Sequence, residues 1–241
     1  MRVLVSGGSS DIARAIIKHR SSLGDECFYT YSRTKTKETN ERFYAENKIT
    51  AKGLLYNFVD KELDSEEFDC LVLNAASKMP RNKILTELSE KEIEDYITHE
   101  IMGNISLVKK ILPYMVKKNF GRIIFVSSLS TQIATSKYFS YIAVKSALEA
   151  MIKNIAVDYS KHNIHANILR LGLFKTSRLR MLWKRESYQE MVRKLVMQGR
   201  MGEPKDILPA LDMMLAKDIY MNGSAIDLAG GLPLINTSSP L

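Results

Sequence analysis

The chain has 241 residues, 45% of them hydrophobic, a formal net charge of +8 and two cysteines, enough for one large core with no compositional break; a single domain over 1–241 is expected. No apolar run reaches the roughly 18 residues of a membrane helix, and the first strand begins at Arg2 without room for a secretory signal, so a cytoplasmic location without a membrane partner is expected. Cys27 and Cys70 lack metal-ligand spacing and read as reduced core thiols, and the positive charge comes without a helix-turn-helix, zinc or aromatic RNA-binding signature, which argues against metal and nucleic acid alike.

In chain order, Arg2 to Val5 is a strand running into Ser6-Gly7-Gly8-Ser9-Ser10-Asp11-Ile12-Ala13. That is where a strand-to-helix turn holds a dinucleotide phosphate, although the glycines stop at Gly8 and Asp11 and Ala13 follow. Gly7 and Gly8 supply the tight turn, Ser9 and Ser10 offer hydroxyls and N–H groups, and Asp11 reads as an N-cap. A helix over Ile12 to Leu23 leads to a strand at Cys27 to Tyr31 and another at Leu54 to Phe58. The stretch from Asp60 to Asp69 is too short for a full crossover helix. Cys70 to Leu73 is a strand, and Ser89-Glu90-Lys91-Glu92 is a capping box opening a helix to about Lys118. Arg122 to Val126 (strand), Tyr138 to Lys161 (helix), His165 to Leu169 (strand) and Ala225 to Leu228 (strand) complete an α/β pattern. Seven strands alternating with helices make a doubly wound parallel sheet, and the loops from Ser6, Ser32, Asn57, Asn74, Ser127 and Gly172 should converge at its carboxyl edge.

Ser128 ends one strand, and Tyr141 and Lys145 lie in "YIAVK" on the next helix. Positions i and i+4 share a helix face, so the pair projects into one site. A free tyrosine titrates near pH 10; an adjacent ammonium stabilises its phenolate and lowers that value. A nearby serine hydroxyl can bond a substrate oxygen on which charge develops.

These segments carry a resemblance. "SGGSSDIA", "DCLVLNAA" (69–76), "GRIIFVSS" (121–128), "YIAVK", "NIHANILRLGLFKT" (163–176), "GRMGEPKDI" and "NGSAIDLAGG" follow one another as the motifs of the short-chain dehydrogenase/reductases do, from Arg2 to about Leu232. The chain most resembles the single-domain subclass that includes 3-oxoacyl-[acyl-carrier-protein] reductases. The resemblance implies a Rossmann-type fold and a nicotinamide cofactor. It makes Tyr141 the general acid in carbonyl reduction, Lys145 the residue that holds the nicotinamide ribose, and Ser128 the one that orients the carbonyl. The cofactor loop would be Gly7, Ser9, Ser10, Asp11 and Ile12. Asn57 and Phe58 would flank the adenine, Asn74, Ala75 and Ala76 the ribose, and Gly172, Phe174 and Thr176 the carboxamide, with Phe58 and Ala75 also readable as plain core residues. The family commonly forms tetramers through its long helices, so a homo-oligomer, tetramer or dimer, is expected.

One family position departs. Counting back from "LPYM" (112–115), the Asn that anchors a relay water falls on Glu100; a shift of one turn would hand the role to Asn104 or His99. A carboxylate at 100 can relay protons or pair with Lys145. Leu171 stands where the family has Pro. NAD-preferring relatives end the second strand with an acid, whereas here it reads Tyr31-Ser32-Arg33 with Lys35 and Lys37 beyond. Ser32 and Arg33 favour a 2′-phosphate and hence NADP(H) over NAD(H). From Lys175 to Lys205 nine Lys or Arg face three Glu, and most of this stretch is a lid over about 175–199 whose Leu179, Leu182, Trp183, Met191 and Leu195 would cover a pocket. Its bases form either a solvated face or a site for an anionic carbonyl substrate, small or carrier-bound. A noncatalytic dinucleotide-binding protein is the alternative that three converging catalytic side chains argue against.

Overall fold

The computed structural model describes residues 1–56, 58, 63, 67–77 and 83–234. Its elements in chain order are β1 (Arg2–Val5), α1 (Asp11–Ser22), β2 (Glu26–Tyr31), α2 (Thr34–Glu46), β3 (Ala51–Leu55), β4 (Cys70–Leu73), α3 (Glu90–Lys118), β5 (Gly121–Ser128), α4 (Phe139–Asp158), β6 (Ile164–Leu171), α5 (Arg180–Trp183), α6 (Glu186–Leu195), α7 (Leu208–Leu215) and β7 (Ala225–Leu228). The strands form one parallel sheet in the order β3-β2-β1-β4-β5-β6-β7. The order reverses between β1 and β4, and ligands of such sheets bind outside the carboxyl ends at that point.

Strand residues alternate between two cores, as side chains on a pleated strand must. Leu4, Leu71, Leu73, Ile123, Phe125 and Ile168 face a core built with Leu107, Ile111, Leu148 and Ile152 of α3 and α4. Val3, Val5, Val72, Ile124 and Leu169 face the other, with Ile16 and Ile17 of α1 and Leu211 and Met214 of α7. Both faces are covered, which is why the strands read as unbroken apolar runs.

The expected strands and long helices are present, with three instructive differences. α2 carries only Asn40 and Tyr44 as buried residues along thirteen positions, too thin an apolar stripe for its period to register. β3 begins three residues before the expected Leu54 because it is an edge strand, with Leu54 its one buried residue. Its Gly53 lies against the Tyr29 ring instead of contributing an apolar side chain. The helix expected to reach Lys161 ends at Asp158 and is followed by a 3₁₀ turn, Ser160–His162, closed by Asn163 in the left-handed region at φ 53°. The α3 capping box forms as read, with Ser89 and Glu92 bonding reciprocally. Cys27 and Cys70 are free and buried, and burial pushes each thiol up to about 12. Asn57, most of the 60–69 crossover and the tail from 235 lie outside the described residues. No helix is long and apolar enough to cross a membrane, and no cluster of His, Cys, Asp or Glu suits a metal, among the described residues.

Candidate active site

The first turn after β1 is set by two glycines with different duties. Gly7 adopts φ +75°, a left-handed conformation that other residues rarely take. Gly8 lies so close to Tyr29 that a Cβ would meet its ring at 2.5 Å. The loop is tied down from three sides: Gly7 N donates to Thr30 Oγ1 at 3.0 Å, Gly8 N to the Thr30 carbonyl at 3.0 Å, and Tyr44 Oη to the Gly8 carbonyl at 3.0 Å. Ser6 Oγ accepts the N–H groups of both Asn74 and Ala75 at 2.9 Å, and Asn74 Nδ2 donates to Ser10 Oγ at 2.9 Å. The ends of β1 and β4 are thereby locked together across the switch point.

The N-cap of α1 is Ser10, whose hydroxyl accepts from Ala13 N at 3.0 Å. Asp11, expected as the cap, is instead the first helical residue. Its carboxylate swings away from the loop to accept Ser177 N from the lid at 2.5 Å. The N–H groups of Asp11 and Ile12 keep no acceptor within the helix, and they sit where an anion gains from the helix dipole. Ala13 is fully buried against the sheet, so its extra methyl packs without opening the turn.

α4 stacks Tyr141 and Lys145 on one face, as four-residue spacing dictates, above the end of β5. Lys145 is 5% exposed, and its Nζ donates to the Val126 carbonyl at 2.9 Å, 4.6 Å from the Phe125 ring centroid and 5.8 Å from that of Tyr141. Burial pulls its pKa down to about 8, against the raising fields of Glu100 and Glu149. The Tyr141 phenol moves the opposite way from the sequence expectation: burial raises it, outweighing the lowering hydrogen bond with Ser128 and the field of Arg178. The Lys145 ammonium faces a backbone carbonyl, and removal of water from the phenol dominates. Ser128 Oγ accepts Ser130 N at 3.2 Å, holding the turn beyond β5.

Glu100 is 1% exposed on α3, so its carboxylate lies inside the protein. Its Oε1 accepts Ser77 N at 2.6 Å and the Ser77 hydroxyl as well, and its charge acts on both Lys145 and Tyr141. Asn104, one turn on, gives its Nδ2 to the Glu100 carbonyl at 2.8 Å, while its Oδ1 is buried without a partner among the described residues. His99 stacks edge-on against Phe58 at 5.5 Å.

The remaining expected residues divide between cleft and core. Ser32 and Arg33 are exposed beyond β2. Phe58 is half-buried and packs on α3, where a Cβ on Gly103 would strike it at 2.1 Å. Phe174 is buried, with its ring 2.7 Å from where a Cβ on Gly202 would lie. Gly172 approaches Ala229 closely, the Thr176 carbonyl accepts Trp183 Nε1 at 3.1 Å, and the Ala76 carbonyl accepts Arg178 Nη2 at 3.1 Å. On the lid, Trp183 packs with Leu173 and Tyr188 on Val192, Val196 and Met201. Leu182 on α5 and Met191 and Leu195 on α6, expected to face a pocket, are exposed; the register of α6 turns Val192 inward instead. Sequence reading passed over Thr30, Ser77, Arg178 in its contact with Ala76, and a buried pair between Glu149 and Arg170; only Glu149, four residues after Lys145, carried a positional signal.

The family model for enoyl-(acyl carrier protein) reductases matches residues 8–233. A 3-oxoacyl-[acyl-carrier-protein] reductase of Haemophilus influenzae is 28% identical over 242 residues, covering 96% of this chain and 97% of its own. A dehydrogenase/reductase of Rattus norvegicus, SDR family member 4, is 29% identical over 68% of this chain, a match spanning only 59% of that protein. Among solved structures, a 3-oxoacyl (acyl-carrier-protein) reductase of Agrobacterium tumefaciens with NADP bound superposes with a TM-score of 0.84 at 24% identity, over 95% of this chain and 93% of the other. A gluconate 5-dehydrogenase of Burkholderia cenocepacia in complex with NADP and tartrate gives 0.84 at 20% identity, over 96% and 94%. The chain belongs to the short-chain dehydrogenase/reductase family of oxidoreductases.

Proposed function

We propose that this protein is an NADPH-dependent reductase of carbonyl compounds, of the 3-oxoacyl-thioester type or acting on a related small keto or sugar substrate. The observation that carries the reading is the meeting of Ser128, Tyr141 and Lys145 at the carboxyl end of β5, next to the loop between β1 and α1. The residues fit a dinucleotide. The free N–H groups at the start of α1 suit its pyrophosphate, and a Cβ at Gly7 or Gly8 would meet Ala75 or Tyr29 at 3.0 Å or less. Exposed Arg33, with Ser32 and no acid at the end of β2, suits a 2′-phosphate.

When bound, reduced nicotinamide supplies the hydride. Tyr141 donates the proton from its hydroxyl to the carbonyl oxygen, and its raised pKa keeps that proton in place at neutral pH. Ser128 Oγ orients the same oxygen. Lys145 holds a ribose and passes a proton toward Tyr141, with Glu100 at the inner end of the relay. Arg178, tied to the Ala76 carbonyl and acting on Tyr141 and Lys145, is the lid base suited to an anionic group on the substrate. Arg193, Lys175 and Arg200 are instead paired with Glu186, Glu203 and Asp206 at 2.7, 3.3 and 2.6 Å. A cytoplasmic homo-oligomer belongs to the same proposal, supported by Met102, Phe139 and Val157 exposed on α3 and α4 and by the two buried free thiols.

The test is loss of NADPH absorbance over a panel of keto acids, their neutral esters, 3-oxoacyl thioesters and keto sugars. Turnover with NADPH preferred over NADH, and abolished in Tyr141→Phe, is expected. Activity surviving that substitution would break the mechanism, and a preference for NADH would overturn the cofactor choice.

A further inference from the structure

Beneath the reacting groups lies a buried carboxylate that the mechanism above does not use. Glu149 continues the α4 stripe of Tyr141 and Lys145 by one more turn. Its Oε1 accepts Ser127 Oγ at 2.6 Å. Arg170, near the carboxyl end of β6 and in register with Ser127, grips it in a fork, with Nε at 3.0 and 3.1 Å and Nη2 at 2.7 Å. Both side chains are close to nine-tenths buried or more, at 11% and 7% exposure, and Arg170 turns its other nitrogen to Asp227 on the neighbouring strand at 3.2 Å. The Thr131 hydroxyl stands 2.9 Å from Glu149 Oε1 and 3.0 Å from the Ser128 carbonyl, with one proton to share between them.

Three successive residues at the end of β5 are thus held by three successive turns of α4: Ser128 by Tyr141, Val126 by Lys145 and Ser127 by Glu149. A surface acid would not require this arrangement. Taking a carboxylate and a guanidinium out of water costs free energy that a hydrophobic pair would not. Here Oε1 takes Arg170 Nε on one side and faces the hydroxyls of Ser127 and Thr131, one before and one after Ser128, on the other.

We propose that Glu149, seated on Arg170, is a positioning residue for catalysis: it fixes the turn Ser127–Thr131 and so the direction in which Ser128 presents its hydroxyl. The inference rests on the proposed reaction, with Ser128 as the group that orients the carbonyl. A rigid turn matters because a hydroxyl that wanders by an ångström no longer stabilises charge where it develops.

The decisive variant is the double substitution Glu149→Met with Arg170→Met, which removes both charges together and leaves neither buried alone. Turnover is counted per NADPH-binding site, determined by titration, so loss of folded protein does not enter. The expected result is kcat reduced at least tenfold with KM for NADPH within threefold. Thr131→Val should cost three- to tenfold in kcat, and Thr131→Ser, which keeps the hydroxyl, should return it to within twofold of wild type. Amide exchange over residues 127–133 should quicken at least tenfold in the double variant while α1 is unchanged. A double variant with kcat within twofold of wild type, or equal losses in Thr131→Val and Thr131→Ser, would overturn the inference. Should the double variant not fold, the two Thr131 variants decide it. If the wild type turns over nothing on the carbonyl panel, the reaction reading fails by itself, and unchanged exchange over 127–133 would still refute the positioning role.

Discussion

Replacing Lys145 by Met should make the protein more stable at neutral pH while leaving it inactive. The ammonium is 5% exposed, and burial holds its pKa at about 8, well below the 10.5 of a free lysine. At about 1.36 kcal/mol per unit, that depression corresponds to roughly 3 kcal/mol lost to folding when Lys145 is charged in both states. Met fills a similar unbranched volume but leaves the Val126 carbonyl, now bonded at 2.9 Å, without its donor, which costs about 1–2 kcal/mol. The variant should therefore lead at pH 7 by about 1–2 kcal/mol. The pH dependence gives the sharper signature. Below pH 8 the lysine is protonated whether folded or unfolded, and the gap is constant. Between about 8 and 10.5 the unfolded chain holds a proton that the folded one has released, so wild-type stability rises with pH. Over that window the wild type should gain roughly 3 kcal/mol on the variant and overtake it. Urea unfolding of both proteins at pH 7, 8.5 and 10 measures the gap, with other titrations common to the pair cancelling. Stability curves that run parallel across the window, or a variant less stable at pH 7, would refute the claim that burial of charge dominates at this site.

Glu100→Asn should lower kcat severalfold and move the limb of the pH profile that reports Lys145 to lower pH. Removing Glu100 takes away a charge that raises the Lys145 pKa, leaving Arg178, which lowers it, and Glu149, which raises it; unchanged turnover and profile would remove Glu100 from the relay. Gly8→Ala should cost about 1–3 kcal/mol, the usual range for overpacking, because the new methyl would lie 2.5 Å from the fully buried Tyr29 ring. Its melting temperature and KM for NADPH report the effect together, and a variant matching wild type in both would show that the loop yields at no cost.

What the sequence made legible was whatever depends on short-range pattern. β1, β4 and β7 have the expected ends because each is a short, mostly apolar run stopped by a polar or small residue, and α3 starts at its capping box. The four-residue step from Tyr141 to Lys145 placed both on one face for the same reason. Asp11 misled because Ser10 is an equally good cap and the choice was made by a partner 166 residues away, Ser177. Phe58 and Phe174 match family positions beside the cofactor, and each also packs against the bare backbone of a distant glycine, Gly103 or Gly202. No pattern along one strand records such a contact.

The departure at position 100 is where the two kinds of information combine. Motif spacing located Glu100, but its environment comes from the end of β4, where Ser77 offers both an N–H and a hydroxyl to the same carboxylate oxygen. A carboxylate in that place needs donors that an amide does not, and Ser77 supplies them from the residue just past the "LNAA" motif. Glu149 repeats this on the other side of Lys145, where Arg170 and two hydroxyls answer a second buried acid. Lys145 thus lies between two carboxylates, each raising its pKa against the pull of burial and Arg178. If the paired acids set the charge of Lys145, a change at either should move the same limb of the pH profile, and changes at both should move it further than either alone.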